Sequence, residues 1–221
     1  MLIDIEGIDG SGKGTQAKLL CDRLRQAGVS ATLVSFPRYD ATLFGKAVGE
    51  YLNGQFGSLA AVHPFLVSLL FAGDRFESKP FLQEALRTSR IVVLDRYVPS
   101  NVAHQAAKLD GAARADLTAK ILEIEFTIFG LPRPDLVLLL DLPVKIAQDL
   151  IARKEARNYT TRKADIQEAD ADYLERVRDV YHALARSEPN WKTIPCCEDR
   201  RLRTIDEIAE SVWQVVAAAR K

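Results

Sequence analysis

Five short strand-like segments punctuate the chain: Met1–Ile5, apolar but for Asp4, then Ala31–Phe36, the apolar Ile91–Leu94 and Leu136–Leu140, and Trp191–Cys196. Each is strand-sized, and the third and fourth end in an acid, Asp95 and Asp141. A continuous apolar run of that length is the pattern of a parallel strand buried on both faces. Between the runs the period changes to that of a helix. Thr15–Ala27 places Leu19, Leu20 and Leu24 on one face, with Gly28 as a stop. Further helices are predicted over 41–52, 99–109, 112–129, 144–153, 165–186 and 205–219. Residues 63–76 and 79–88 read as one long helix or a broken pair, since Pro64 and Pro80 both suit a first helical turn. Strands alternating with helices specify an α/β protein built on a five-stranded parallel sheet.

The composition narrows the setting. The 221 residues carry 30 basic and 30 acidic side chains, so no global field draws the chain to nucleic acid or membrane. No apolar stretch is long enough to span a bilayer, and the N-terminus enters a strand without the basic and apolar regions of a signal peptide. The cysteines number three, and Cys196 and Cys197 are adjacent, which suits neither disulfide pairing nor metal spacing. Reduced thiols and a cytoplasmic location are expected.

The chemistry starts between the first strand and the first helix, at Glu6-Gly-Ile-Asp-Gly-Ser-Gly-Lys-Gly-Thr-Gln16. Gly7, Gly12 and Lys13 form Gly-x-x-x-x-Gly-Lys, so Gly7, Ile8, Asp9, Gly10, Ser11, Gly12, Lys13, Gly14 and Thr15 are the expected ATP-binding loop. Glycines let backbone N–H groups turn onto the phosphates, the helix N-terminus adds its dipole, and Lys13 reaches the outer phosphates. The residue after the lysine ordinarily offers a hydroxyl to Mg²⁺; here it is Gly14, so the metal must be held partly by others. Asp95, at a strand tip, is the natural carboxylate for Mg²⁺ or its water shell, with helix capping as its other possible role. Arg96 suits a phosphate clamp. Asp9, inside the loop, makes electrostatic sense beside a metal, a cation or a hydroxyl donor.

Residues 153–163 hold Arg153, Lys154, Arg157, Arg162 and Lys163 in a polar stretch. They read as a lid that brings arginines onto the phosphates; each arginine singly reads equally well as a solvated helix end.

Taken together, Gly-Ile-Asp-Gly-Ser-Gly-Lys-Gly-Thr, Phe36-Pro-Arg38, Phe71-Ala-Gly-Asp-Arg75, Asp95-Arg-Tyr97, Ser100-Asn101 and Gly130-Leu-Pro-Arg-Pro-Asp135 resemble the thymidylate kinases, in the actinobacterial-like bacterial form. The resemblance runs in order from Met1 to about Tyr181. It implies a three-layer P-loop kinase fold, one domain over 1–221 with a mobile lid at about 153–168, usually homodimeric. It also implies phosphorylation of dTMP by ATP with Mg²⁺. On the matching positions, Phe71 would stack on thymine, Arg75 would donate to a base carbonyl, and Asn101, beside Ser100, would read the remaining polar edge. Phe36 would border the pocket, Arg38 and Arg96 would grip the dTMP phosphate with Tyr39 near it, and Asp9 would face the acceptor sugar. His104 stands where related bacterial forms often carry a tyrosine against the sugar, so His104 is expected to line the sugar and to discriminate less sharply against ribose; it reads equally well as a solvated helix histidine. With no arginine in the phosphate loop, the catalytic cation is expected from the lid, Arg157 first and Arg153 nearer ATP. Asp165-Ile-Gln-Glu168 resembles a weakened Asp-x-Tyr-Glu motif, in which Glu168 would aid the metal or the acceptor site; it reads equally well as a first-turn helix acid stabilised by the dipole. Another nucleoside-monophosphate or deoxynucleoside kinase is the nearest alternative.

Overall fold

The computed structural model describes residues 1–152, 170–198 and 201–220. Arg153, Arg157, Arg162, Glu168 and the expected lid therefore lie outside the described residues.

The apolar runs become β1 (Leu2–Glu6), β2 (Ala31–Ser35), β3 (Ile91–Asp95), β4 (Leu136–Asp141) and β5 (Trp191–Pro195). They pair in parallel in the order β2-β3-β1-β4-β5. All five residues of β1 are buried, as the run of apolar side chains demands. The helices are α1 (Lys13–Gln26), α2 (Leu43–Leu52), α3 (Pro64–Glu77), α4 (Lys79–Thr88), α5 (Val98–Ala106), α6 (Gly111–Leu122), α7 (Val144–Ala152), α8 (Ala171–Ser187) and α9 (Ile205–Ala219). They cover the sheet and bury Leu20, Leu24, Val102, Val177 and Val212 against it. Truncating such a side chain to alanine costs about 2–5 kcal/mol.

Differences from the expected elements are local. The first helix begins at Lys13, two residues early, because Gly12 turns at φ 87° and releases the chain into the helix at once. The segment from Pro64 breaks into α3 and α4 at Ser78, with both prolines in first turns. The helix expected to run to Phe129 ends at Leu122 and widens into a π-helical turn, Glu123–Ile128. Such turns are rare and cluster at functional sites. Its effect is to place Glu125, which is completely buried, among the site residues. A short antiparallel pair, Cys197–Glu198 with Arg201–Leu202, follows β5 and was not expected.

β1 lies between β3 and β4, although β3 and β4 follow one another in sequence beyond β2. The connections therefore diverge at the C-terminal end of β1, where open α/β sheets collect their ligands.

Candidate active site

A cavity of about 470 Å³ opens at that end. Asp9, Gly10, Gly12, Lys13, Gly14 and Thr15 line one end of it, from the loop after β1. Phe36 and Tyr39 come from the segment after β2, Asp95 and Arg96 from the tip of β3. Phe71 and Arg75 of α3 and Ser100, Asn101 and His104 of α5 complete the wall. Fifteen of the expected residues thus converge from distant parts of the chain on one hollow.

The loop is self-supporting. Lys13 Nζ donates to the carbonyl oxygens of Gly7 (2.8 Å) and Ile8 (2.9 Å), which curls the loop around its own lysine. Gly7 and Ile8 thus serve Lys13 rather than the cavity wall. Ser11 Oγ is buried without a partner. Burial, then the nearby Arg96 guanidinium, lowers the Lys13 pKa to about 8. An arriving phosphate would reverse that shift by supplying the missing counter-charge. A Cβ at Gly14 would lie 3.0 Å from Asp95 Oδ2, so the glycine keeps a clear approach between the loop and this carboxylate. Among the described residues no cluster of three or more His, Cys, Asp or Glu could cage a metal. Asp9 and Asp95 are the carboxylates that face the cavity.

At the mouth, Arg96 pairs with Asp9, and its other terminal nitrogen lies 3.4 Å from Ser100 Oγ. Arg96 has a left-handed backbone, φ 70°, alone among the described non-glycine residues. That conformation costs on the order of 1–3 kcal/mol and persists where surrounding contacts impose it. Here the imposing group is Glu6. Its fully buried carboxylate accepts from Tyr97 N (2.8 Å), Ser100 N (3.1 Å), Ser100 Oγ (2.7 Å) and Tyr181 Oη (2.8 Å). Glu6 therefore ties β1 to the first turn of α5 and holds Tyr97 and Ser100, which follow Arg96 in the chain.

The far end is organised by Glu125. It receives Arg75 Nε (2.5 Å) and Arg75 Nη2 (2.7 Å), and Asn101 Nδ2 donates to it at 2.8 Å. Asn101 Nδ2 also donates to Ser68 O at 3.0 Å. Both partners only accept, so the amide orientation is fixed and Asn101 Oδ1 is left as a buried acceptor without a partner. Gln105, one turn on, also lines the cavity. Its Oε1 accepts from Lys108 Nζ at 2.9 Å, which leaves Nε2 a buried donor without a partner. An unpaired acceptor and an unpaired donor on the same cavity wall are what a ligand with a complementary polar edge requires.

One expected residue stands off the cavity wall. Arg38 does not line the cavity: its guanidinium lies 4.2 Å over the Phe81 ring and donates to Ser78 Oγ, while its backbone N–H donates to Asp74. Arg75 lines the cavity, where Glu125 accepts from its Nε and Nη2. Glu6, Gln105, Glu125, Tyr173 and Tyr181 were missed. A glutamate inside a strand run at position 6 was the one signal in the sequence; the others sit in ordinary helical patterns.

A family model described as thymidylate kinase matches residues 5–201. The thymidylate kinase of Mycobacterium tuberculosis is 38% identical over 185 residues, 84% of this chain and 86% of that protein. That of Thermomicrobium roseum is 34% identical over 221 residues, covering 99% of this chain and 95% of the relative. The solved structure of thymidylate kinase from Candida albicans superposes with a TM-score of 0.76 at 25% identity, over 99% of this chain and 92% of that one. With the loop, the Asp-Arg-Tyr turn and the base-end wall in their places, the chain belongs to the thymidylate kinase family.

Proposed function

We propose that the chain transfers the γ-phosphoryl group of ATP directly to the phosphate of dTMP, giving ADP and dTDP. The observation that carries this reading is the continuity of one cavity from the Lys13 loop, past Arg96, to the unpaired atoms of Asn101 and Gln105. A phosphate donor at one end and a nucleobase at the other leave the acceptor phosphate beside Arg96, between them.

Phosphoryl transfer asks the protein to position phosphates and to place cations against the transferring charge. Lys13, released from the loop carbonyls, would meet the outer phosphates of ATP. Arg96 would hold the acceptor phosphate, with Asp9 keeping its guanidinium in place. Phe71 offers a ring for base stacking, worth roughly 1–3 kcal/mol. Asn101 Oδ1 would accept from the imide N–H of thymine, while Gln105 Nε2 and the remaining Arg75 donor would meet carbonyl oxygens. Cytosine presents the opposite pattern at its ring nitrogen and would leave Asn101 Oδ1 facing another acceptor.

Mg²⁺ fits this site. Magnesium is ordinarily held by one or two carboxylates together with phosphates and water, and Asp95, with Asp9 beyond it, supplies that kind of donor. When bound, the ion neutralises charge on the bridging phosphate oxygens. We assign the further cation to Arg157, with Arg153 toward ATP and Glu168 toward the metal, because, of the described cations on the cavity, Lys13 belongs to the loop itself, while Arg75 and Arg96 already face Glu125 and Asp9. Large apolar side chains exposed on α3, Leu66 and Phe76, support a second copy of the chain packing there. The thiols are free among the described residues, in keeping with a cytoplasmic setting.

A coupled assay of ADP release over dTMP, dUMP, dCMP, dGMP, dAMP and thymidine tests the reading. dTMP should give the highest kcat/KM. A better substrate among the others would refute the base assignment, and no turnover with any of them would refute the activity.

A further inference from the structure

Asp4 interrupts the apolar run of β1 and does not line the cavity. Its side chain is completely buried, and neither carboxyl oxygen accepts a hydrogen bond from a described residue. Its neighbours in the sheet, Leu94 on β3 and Val137 on β4, bring no polar side chain. Alternation along a strand puts Asp4 and Glu6 on the same face. Glu6 is equally buried, but four donors serve it: Tyr97 N, Ser100 N, Ser100 Oγ and Tyr181 Oη. Two neighbouring buried carboxyl groups do not both ionise, and the proton goes to the one that no donor stabilises. That one is Asp4. Burial, then the charge of Glu6 beside it, raises the Asp4 pKa well above the ordinary carboxylate range. The other groups that act on Asp4 do not reverse this. Arg75 of α3 favours the ionised form, but Glu125 takes up its guanidinium. Asp95 at the tip of β3 adds repulsion, and the Tyr97 phenol, which donates to Pro132 O, is kept neutral by burial.

A carboxylate at this place would have no donor, whereas a carboxylic acid brings its own and has Glu6 as acceptor. We propose that Asp4 is a positioning residue that keeps its proton at neutral pH and donates a hydrogen bond to Glu6, a fifth donor that fixes the turn carrying Arg96. On the reading that Arg96 holds the acceptor phosphate, the contacts run from Asp4 through Glu6 to Tyr97 and Ser100, and so to the left-handed backbone of Arg96. Asp4 touches no substrate; it acts by holding the Glu6 carboxylate where its four other donors meet it. An ionised aspartate would repel that carboxylate, and an apolar side chain would release it on one side. A neutral acid, or an amide of the same shape, gives burial and a fixed carboxylate together.

Carbon-13 NMR of the full chain labelled at its aspartate carboxyls reads the proton directly. One resonance should keep the shift of a neutral acid at about pH 7, and Asp4→Asn should remove it. Stability carries a second signature. Below the ordinary aspartate value of about 3.9 the folded and unfolded chains both hold this proton. Above it the unfolded chain releases the proton and the folded chain does not, so wild type loses stability as pH rises. The unfolding midpoint of Asp4→Asn should therefore rise relative to wild type between about pH 4 and pH 7. In turnover, Asp4→Asn keeps a donor toward Glu6 and should leave KM for dTMP within about twofold. Asp4→Leu, which fills the space without a donor, should raise KM for dTMP about threefold to tenfold with KM for ATP unchanged. A packing role alone would leave both KM values of Asp4→Leu at those of wild type. The proposal is overturned by the lack of a protonated aspartate resonance near neutrality, by one that survives Asp4→Asn, or by an unmoved KM for dTMP in Asp4→Leu. No turnover of dTMP by wild type overturns instead the reading of the function, and the resonance still decides the state of Asp4.

Discussion

The two ends of the cavity are built on different plans. The phosphate end is one uninterrupted stretch, Gly7–Thr15, held by hydrogen bonds from Lys13 to carbonyls five and six residues away. The nucleoside end is assembled from α3, α5 and the π-helical turn, through carboxylates that join residues 24 to 94 positions apart. A backbone-built site is robust to most single changes, because few side chains carry it. A site built on buried ion pairs fails when one partner is removed, since the survivor is left charged and desolvated. The first end should therefore break in activity alone, and the second in activity and stability together.

The largest effect is expected at Glu125. Glu125→Ala leaves the buried Arg75 guanidinium unpaired and Asn101 loose, at a cost of about 3–5 kcal/mol. Denaturant titration should show it, with dTMP turnover lost in parallel; a stable Glu125→Ala protein would end the proposed contrast. At the other end, Lys13→Ala should lower kcat by roughly 10²–10³, as removal of one preorganised hydrogen-bond donor to a developing anion does elsewhere, with the unfolding midpoint nearly unchanged. A large stability loss there would show that Lys13 holds the loop as well as the phosphates.

Glu6→Gln comes next. The amide keeps one acceptor, yet brings two donors into a pocket of four donors, at about 1–3 kcal/mol. Because Glu6 holds the turn that strains Arg96, KM for dTMP should rise more than KM for ATP. A smaller and donor-side effect is expected of Gly14→Ala. Its Cβ presses on Asp95 Oδ2, so the Mg²⁺ requirement should shift a few-fold upward with dTMP affinity unaltered, as a metal titration of the rate would show.

The smallest effect is in pH. The Lys13 pKa near 8 in the free protein is below its usual value of 10.5. An unfolded chain keeps that proton between the two values and the folded chain does not, so this group makes stability rise with pH through that window. ATP should restore the proton, and calorimetry above pH 8 should register proton uptake on binding that Lys13→Met abolishes.

The same division separates what could be read from the chain. The parallel strands, the phosphate loop, and the Phe71–Arg75 and Asp95–Tyr97 motifs were legible because each is written in contiguous residues with a characteristic period or spacing. The placement of Arg38 was not legible, because its motif names the turn, whereas the direction of its side chain depends on Phe81, 43 positions on in a separate helix. Glu125 and Gln105 were invisible, since a glutamate or glutamine in a helical pattern reads as a solvated face.

The sequence alone determined that a strand delivers a glycine loop and a lysine to a helix N-terminus, since backbone geometry and periodicity are local properties. Only the tertiary structure decided which polar atoms are left unpaired at the nucleoside end: Asn101 Oδ1, His104 Nε2 and Gln105 Nε2. The reason is physical. A hydrogen-bonding atom becomes a reader of substrate only when its neighbours, brought from far along the chain, occupy every other partner and exclude water.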